Sequence, residues 1–283
     1  MKAIIATPSA TKEYLTKYQC MAKKGYGQNF LIEPGIVDKI ARHAVISNHC
    51  AVLEIGPGIG ALTQFLCRYA KRVIAYEVDE RLPRVLEDSL ADCDNFTLIM
   101  EDFLNVDVTC VVNELTQKGY DVVVAANLPY YITTPILFQL FESRSPIRAI
   151  TVMMQKEVAD RFHAKVNSAD YNALSIITQY RCEVTPIMNV PRNVFMPKPK
   201  VDSAVVQFRF KEVSPLVDED KLFALIKACF RQRRKTILNN LGEYLGNNKE
   251  KAREILEKAE IDVKMRPQNI TLEQFLRLYE VSL

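Results

Sequence analysis

The 283-residue chain is 48% hydrophobic and 25% charged with a formal net charge of +3, the make-up of an ordinary globular protein. Its length supports one large domain, or one plus a small appendage, around a sizeable core. No run approaches the roughly 18 apolar residues of a membrane span. The start, MKAIIATPSATKEYL, lacks the apolar length of a signal peptide and the arginines of a transit sequence, so a cytoplasmic address is expected.

Residues 1–26 read as a basic extension, with Lys12, Lys17, Lys23 and Lys24 against one acid, Glu13. From residue 50 short apolar runs alternate with helical patterns. CAVLEI (Cys50–Ile55), RVIAYEV (Arg72–Val78), FTLIME (Phe96–Glu101), DVVVAA (Asp121–Ala126) and RAITVMM (Arg148–Met154) read as strands. Their near-continuous apolar character is that of strands buried on both faces of a parallel sheet. Helices are predicted between them over Leu62–Tyr69, Pro83–Leu90, Val111–Gln117 and Ile136–Glu142. This βαβα repetition predicts a Rossmann-like α/β fold, a mostly parallel, doubly wound sheet. CEVTPIM (Cys182–Met188) and SAVVQFRF (Ser203–Phe210) could extend its edge.

KEVSPLVDED is polar, contains a proline and reads as a linker. Beyond it only helical periodicity remains. Leu222, Ile226, Cys229, Phe230, Ile237 and Leu241 keep one apolar stripe. Lys249–Lys258 is a second helix, and Thr271 with Gln274 starts a third as a capping box. The expected division is a sheet domain over 1–211 and a small all-helical C-terminal domain over 212–283. The seven cysteines form no C-x-x-C, and His43, His49 and His163 lack ligand spacing with any cysteine pair. Reduced, mostly buried thiols and no metal are expected. FRQRRK (Phe230–Lys235) places Arg231, Arg233, Arg234 and Lys235 within six residues. With the lysines of the extension, this hints at a polyanionic partner.

The first strand ends in EIGPGIG, with Glu54, Gly56, Gly58 and Gly60. Glycines at a strand–helix junction let a ligand approach backbone amides. The third glycine comes one residue too early for a dinucleotide loop, and an acid precedes the first. The form resembles the first motif of S-adenosylmethionine-dependent methyltransferases, whose ligand presents an amino acid and a sulfonium. Glu77 ends the second strand, where a carboxylate accepts ribose hydroxyls in methyltransferases and NAD enzymes alike. Asp102 follows the third strand, placed for an adenine amino group, although alone it reads as a helix N-cap.

NLPYY occupies the fourth strand end. The Asn127 side-chain carbonyl and the Leu128 backbone carbonyl can accept both hydrogens of an exocyclic amine and stabilise charge developing on its nitrogen. Pro129 stiffens the turn, and Tyr130 can stack on a flipped base. Tyr131 is expected to tuck into the core.

NLPYYITTP (Asn127–Pro135) resembles the target-amine motif of the small-subunit ribosomal RNA adenine dimethyltransferases, the KsgA/RsmA family. GQNFL (Gly27–Leu31) is similar to that family's N-terminal cofactor motif, which implies that Asn29 and the Leu31 backbone meet the methionine part with Gln28 close by. VPRNVFMPKPKVDSAVV (Val190–Val206) resembles its late motif, which implies that Phe195 stacks against the target base. FRQRRKTILNNL resembles the first helix of its C-terminal domain. The likeness runs nearly end to end. One departure is GYG before QNFL, where a bulkier residue and no second glycine are expected.

The resemblance implies S-adenosyl-L-methionine as cofactor, with S-adenosyl-L-homocysteine as product. It implies dimethylation of two adjacent adenosines in a hairpin loop near the 3′ end of small-subunit rRNA, by a monomer acting on an assembling pre-30S-like particle. Lys23, Lys24, Arg231, Arg233, Arg234 and Lys235 are then the candidates for contacting RNA. A large-subunit adenine dimethylase of the macrolide-resistance type shares the core motifs but not YITTP or FRQRRKTILNNL. DNA adenine and protein-glutamine methyltransferases lack KVDSAVV. A non-catalytic assembly factor need not keep Asn127 and the glycine loop.

Overall fold

The computed structural model describes residues 3–22, 27–212 and 216–282. The chain divides into two compact units, 1–159 with 185–210, and 160–184 with 211–283.

The first unit opens with α1 (Pro8–Lys17), capped by Thr7, followed by β1 (Phe30–Leu31) and α2 (Pro34–Ala44). Then come β2 (Cys50–Ile55), α3 (Ala61–Tyr69), β3 (Arg72–Glu77), α4 (Pro83–Ser89), β4 (Phe96–Met100), α5 (Val108–Gln117), β5 (Asp121–Asn127), α6 (Thr133–Glu142) and β6 (Ala149–Gln155). Helices α7 (Lys156–Phe162) and α8 (Ala173–Arg181) precede β7 (Cys182–Val190), β8 (Phe195–Met196) and β9 (Ser203–Phe210). The helices α9 (Glu219–Cys229), α10 (Ile237–Tyr244), α11 (Lys249–Lys258) and α12 (Leu272–Ser282) end the chain.

Seven strands form one sheet in the order β4-β3-β2-β5-β6-β9-β7, and β1 pairs with β8 apart from it. Pairing is parallel from β4 through β6, and β9 runs antiparallel to β6. Every residue of β2 is buried, which requires cover on both faces and explains its unbroken apolar run. The register aligns Ile99, Tyr76, Ile55, Ala126 and Val152 in one row. One residue further along lie Met100, Glu77, Gly56, Asn127 and Met153. Three sequence-chosen site residues thus share a row at the carboxyl edge. The strand order reverses between β2 and β5, and open α/β sheets bind ligands at such a reversal.

The N-terminal segment is more than a basic extension. Ile5, Ala6, Leu15 and Cys20 are buried in the first unit's core, and Gln64 of α3 accepts from the Ile5 N–H at 3.1 Å. Lys17 pairs with Asp88 at 2.6 Å. The single division after residue 211 also needs revising. Residues 160–184 leave the sheet unit, because Ala164, Tyr171, Ile176, Ile177 and Tyr180 bury their side chains in the helical core. In that core Phe230 stacks on Phe275, and Tyr171 meets Phe230 edge to face.

The stripe from Leu222 to Leu241 is two helices rather than one. The segment between Cys229 and Ile237 is a turn, and Asn240 holds it by accepting from Gln232 N–H at 3.1 Å and donating to the Gln232 carbonyl at 3.2 Å. A continuous helix would stack Arg231 against Lys235 one turn apart, an unfavourable like-charge pair. The capping box at Thr271 and Gln274 forms in both directions, at 2.9 and 3.2 Å.

Candidate active site

One cleft opens at the carboxyl edge of the sheet, and its lining gathers residues remote in sequence. From the glycine loop come Glu54, Gly56 and Gly58; Glu77 and Asp102 come from the next strand ends; and Asn127, Leu128, Pro129 and Tyr130 come from the fourth. Gln28, Asn29 and Leu31 enter from the N-terminal motif and Phe195 from the late motif. The last two meet because β1 pairs with β8, matching Phe30 to Met196 and Leu31 to Phe195. Gly60 does not line the cleft; it caps α3 with φ +91°. A side chain there would meet Leu90 and Ser89 at 3.1 Å.

The loop is shaped by backbone that side chains resist. Gly58 has φ +58°, and a Cβ on it would sit 3.3 Å from the Phe30 ring. Gly27 has φ +58° and a Cβ on it would lie 3.4 Å from Pro129 Cβ. The second glycine of GYG therefore suits its position, where a bulkier residue was expected. The two residues before it, like Lys23 and Lys24, lie outside the described residues.

Glu54 is 1% exposed, and its Oε2 has no hydrogen-bond partner. The Thr63 hydroxyl works against the shift in its pKa, yet is itself unsatisfied, so the two are neighbours without a good hydrogen bond. Burial, with the charge of Glu77 adding to it, pushes Glu54 up to about 8. A buried carboxyl oxygen left without a partner can take a cation or donor that arrives from outside.

Glu77 is also raised by burial, but it is better supported. It accepts from the N–H groups of Val78 at 2.8 Å, Asp79 at 2.9 Å and Gly58 at 3.4 Å. Asp79, which carries no motif signature in the sequence, is nearly fully buried beside it. Burial pushes it up, but hydrogen bonds from Arg81 and Gln28 outweigh that and hold it below the usual carboxylate range. Gln28 Nε2 donates to Asp79 at 3.0 Å, tying the N-terminal motif to the end of β3. Asp102 accepts from Leu104 N–H at 3.0 Å as the cap of a short 3₁₀ turn, and it also faces the cleft. Tyr76 and Phe103, likewise not singled out from sequence, meet edge to face at 5.3 Å on the same wall.

At the fourth strand end the polar groups are uncommitted. Neither the Asn127 side-chain amide nor the Leu128 carbonyl makes a hydrogen bond among the described residues. Tyr130 is fixed: its hydroxyl lies 2.9 Å from that of the buried Ser203. Tyr131, expected in the core, is 62% exposed at the cleft mouth.

Of the candidate RNA-contacting cations, Arg231, Arg233, Arg234 and Lys235 lie in the second unit. Arg233 donates to the Ala169 carbonyl at 2.6 Å and the Tyr171 carbonyl at 3.3 Å. Lys235 pairs with Glu243 at 2.9 Å. Arg231 and Arg234 are exposed and in no ion pair among the described residues. Among those residues no group of three metal-ligating side chains is arranged for a metal, and no helix is long and apolar enough to cross a membrane. All seven cysteines are unbridged.

The sheet order, the glycine loop and the ligand-facing strand ends define a class I methyltransferase fold. The ribosomal RNA adenine dimethylase family model matches residues 20–282. The chain is 49% identical over 282 residues to the ribosomal RNA small subunit methyltransferase A of Anoxybacillus flavithermus, covering 98% of this chain and 95% of that one. It is 47% identical to the protein of the same name from Bacillus licheniformis, over the full length of both. A dimethyladenosine transferase from Plasmodium falciparum superposes with a TM-score of 0.75 at 32% identity, covering 88% of this chain and 95% of that chain. The 23S rRNA methyltransferase ErmE superposes with a TM-score of 0.70 at 27% identity, covering 89% and 99%. The chain belongs to the ribosomal RNA adenine dimethylase family.

Proposed function

We propose that the protein dimethylates the exocyclic amines of two adjacent adenosines in the 3′-terminal loop of small-subunit rRNA, with S-adenosyl-L-methionine as donor, within an assembling particle. The uncommitted acceptors at Asn127 and Leu128, beside a tethered Tyr130 and level with Gly56 and Glu77, carry this reading.

The residues present suit the donor. The orphan oxygen of Glu54 suits a cationic group, Glu77 a ribose diol, Asp102 an amino group, and the bare backbone of the glycine loop allows close approach. Gln28, Asn29 and Leu31 close the cleft from the N-terminal side. When bound, the donor supplies an electrophilic methyl on a sulfonium.

The adenine amine is a poor nucleophile because its lone pair is delocalised into the ring. Asn127 Oδ1 and the Leu128 carbonyl accept its two hydrogens, which directs the lone pair out of the ring plane. The same carbonyls stabilise the positive charge that grows on nitrogen, so they bind the transition state better than the ground state. Tyr130 stacks on the extruded base, and its link to Ser203 keeps the ring from swinging away. Phe195 offers a second face. No general base is needed, because the methylated nitrogen is far more acidic than the amine. For the second transfer one hydrogen remains, so one of the two carbonyls gives up its bond. A loop adenosine suits the site, since unpaired bases are extruded at lower cost than paired ones.

The test is methylation of unmodified small- and large-subunit particles, followed by mass spectrometry of the rRNA. Dimethyladenosine at two adjacent positions near the 3′ end of small-subunit rRNA is expected. Modification confined to large-subunit rRNA would overturn the assignment.

A further inference from the structure

The turn that carries the proposed chemistry presents two adjacent tyrosines and treats them differently. Ile132 N–H donates to the Pro129 carbonyl at 3.2 Å, and the Thr133 hydroxyl donates to the same carbonyl at 3.2 Å. Tyr130 and Tyr131 are therefore the two corner residues of a closed turn. Successive corners of a turn send their side chains apart. Tyr130 runs inward to Ser203 at 2.9 Å. Tyr131 runs outward, is 62% exposed, and makes no hydrogen bond or ring pair among the described residues. Its ring borders Gly27: a Cβ on Gly27 would lie 3.6 Å from it.

A large exposed aromatic on the rim of a base-sized cleft is a ligand-facing feature rather than a fold-stabilising one. Removing one base from a single strand also leaves its neighbour without a stacking partner. Proteins that read single-stranded RNA meet that need with a further aromatic face. We propose that the Tyr131 ring is a second stacking platform, which holds the purine next to the target adenosine while Tyr130 holds the target. The proposal rests on the function proposed above and adds a subsite to it. The platform contacts the neighbouring base equally before and during methyl transfer, so its energy appears in substrate binding and not in the chemical step.

The test compares the full-length wild type with Tyr131→Leu and Tyr131→Phe on unmodified small-subunit particles, together with a synthetic RNA hairpin carrying 2-aminopurine beside the target. For Tyr131→Leu the KM rises about tenfold with kcat within about twofold, while Tyr131→Phe, which keeps the ring, stays near wild type. Fluorescence of the 2-aminopurine is quenched on binding wild type and Tyr131→Phe, and much less by Tyr131→Leu. The platform is refuted if Tyr131→Leu matches wild type in KM and quenching. It is refuted equally if Tyr131→Phe is as impaired as Tyr131→Leu, which assigns the effect to the hydroxyl. Loss of S-adenosyl-L-homocysteine affinity in Tyr131→Leu also refutes it, by making the ring a support for the Gly27 segment. A wild type that transfers no methyl to the particle overturns the function itself, an outcome distinct from all three.

Discussion

Glu54 gives the sharpest link between the cleft and its ligand. Its pKa near 8, against an ordinary 4.5, corresponds to about 5 kcal/mol opposing ionisation. Between those values the folded protein keeps a proton that the unfolded chain has lost. The stability of the ligand-free protein therefore falls as pH rises through this window and levels off above 8. A cation beside Glu54 reverses the preference, so cofactor binding expels the proton. At pH 7 about nine-tenths of Glu54 is protonated before binding, so about 0.9 proton is released per cofactor bound. Affinity should rise with pH by up to about tenfold per unit and flatten above 8. Calorimetry at pH 7 in phosphate and in Tris gives the proton count from the difference in apparent enthalpy. The comparison is with Glu54→Gln, which keeps the shape and removes the titration. Any proton that the cofactor's ammonium gains beside Glu54 counts against the release, so a larger count in the wild type than in Glu54→Gln still isolates Glu54. Equal counts in the two proteins would falsify the assignment of Glu54 as the cation's partner.

Four further outcomes are expected. Asn127→Ala should lower methyl transfer by about 10² or more while S-adenosyl-L-homocysteine still binds, as measured by tritium transfer and calorimetry; retained turnover defeats the amine-holding role. Gly58→Ala strains a left-handed backbone position and presses on Phe30, so thermal unfolding should move down by an amount equivalent to about 1–3 kcal/mol, with cofactor affinity falling too. Neutralising Arg231 and Arg234 together should lower the salt slope of particle binding by about one to two without changing the melting temperature. Arg233→Gln should instead lower the melting temperature, because it removes donors to the Ala169 and Tyr171 carbonyls; the opposite pattern would exchange the roles of these arginines.

The centre of the sheet was legible because β2, β3, β5, β6 and β9 are buried on both faces, so the apolar run itself marks them. β2, β3, β5 and β9 fall within a residue of the bounds read from sequence. The first two helices were not read. In α2 the Pro-Gly pair suggests a turn, yet Pro34 sits at the first helical position, where its missing N–H costs nothing, and Val37, Ile40, Ala41 and Ala44 bury one face. In α1 only Ala10, Thr11 and Leu15 are buried, too thin a stripe to show against Lys12 and Lys17. The excursion at 160–184 was hidden for another reason: which core a helix joins is a tertiary choice that its own periodicity does not record. The same holds for Arg233, whose partners are carbonyls some sixty residues away. Tyr131 was misplaced because two adjacent aromatics after a strand read as core, whereas a closed turn separates them.

The strand-end residues were readable as single positions, but the closure of the cleft depends on pairs. β1 and β8 are two residues each, too short to be stable alone. They hold because Ile32 N–H extends the pairing to the Val194 carbonyl at 2.9 Å, and because Phe30, Leu31 and Phe195 are buried in the core of the first unit. The N-terminal motif is fixed a second time where Gln28 meets Asp79, whose own N–H is held by Glu77. The groups assigned to the methionine part, the ribose and the target base are therefore mechanically joined. Glu77 positions Asp79, Asp79 holds Gln28, and Leu31 pairs with Phe195. A ligand held by Glu77 would thus be linked to Phe195, the face proposed for the adenine, which gives a physical reason for a site whose two halves come from opposite ends of the sheet unit.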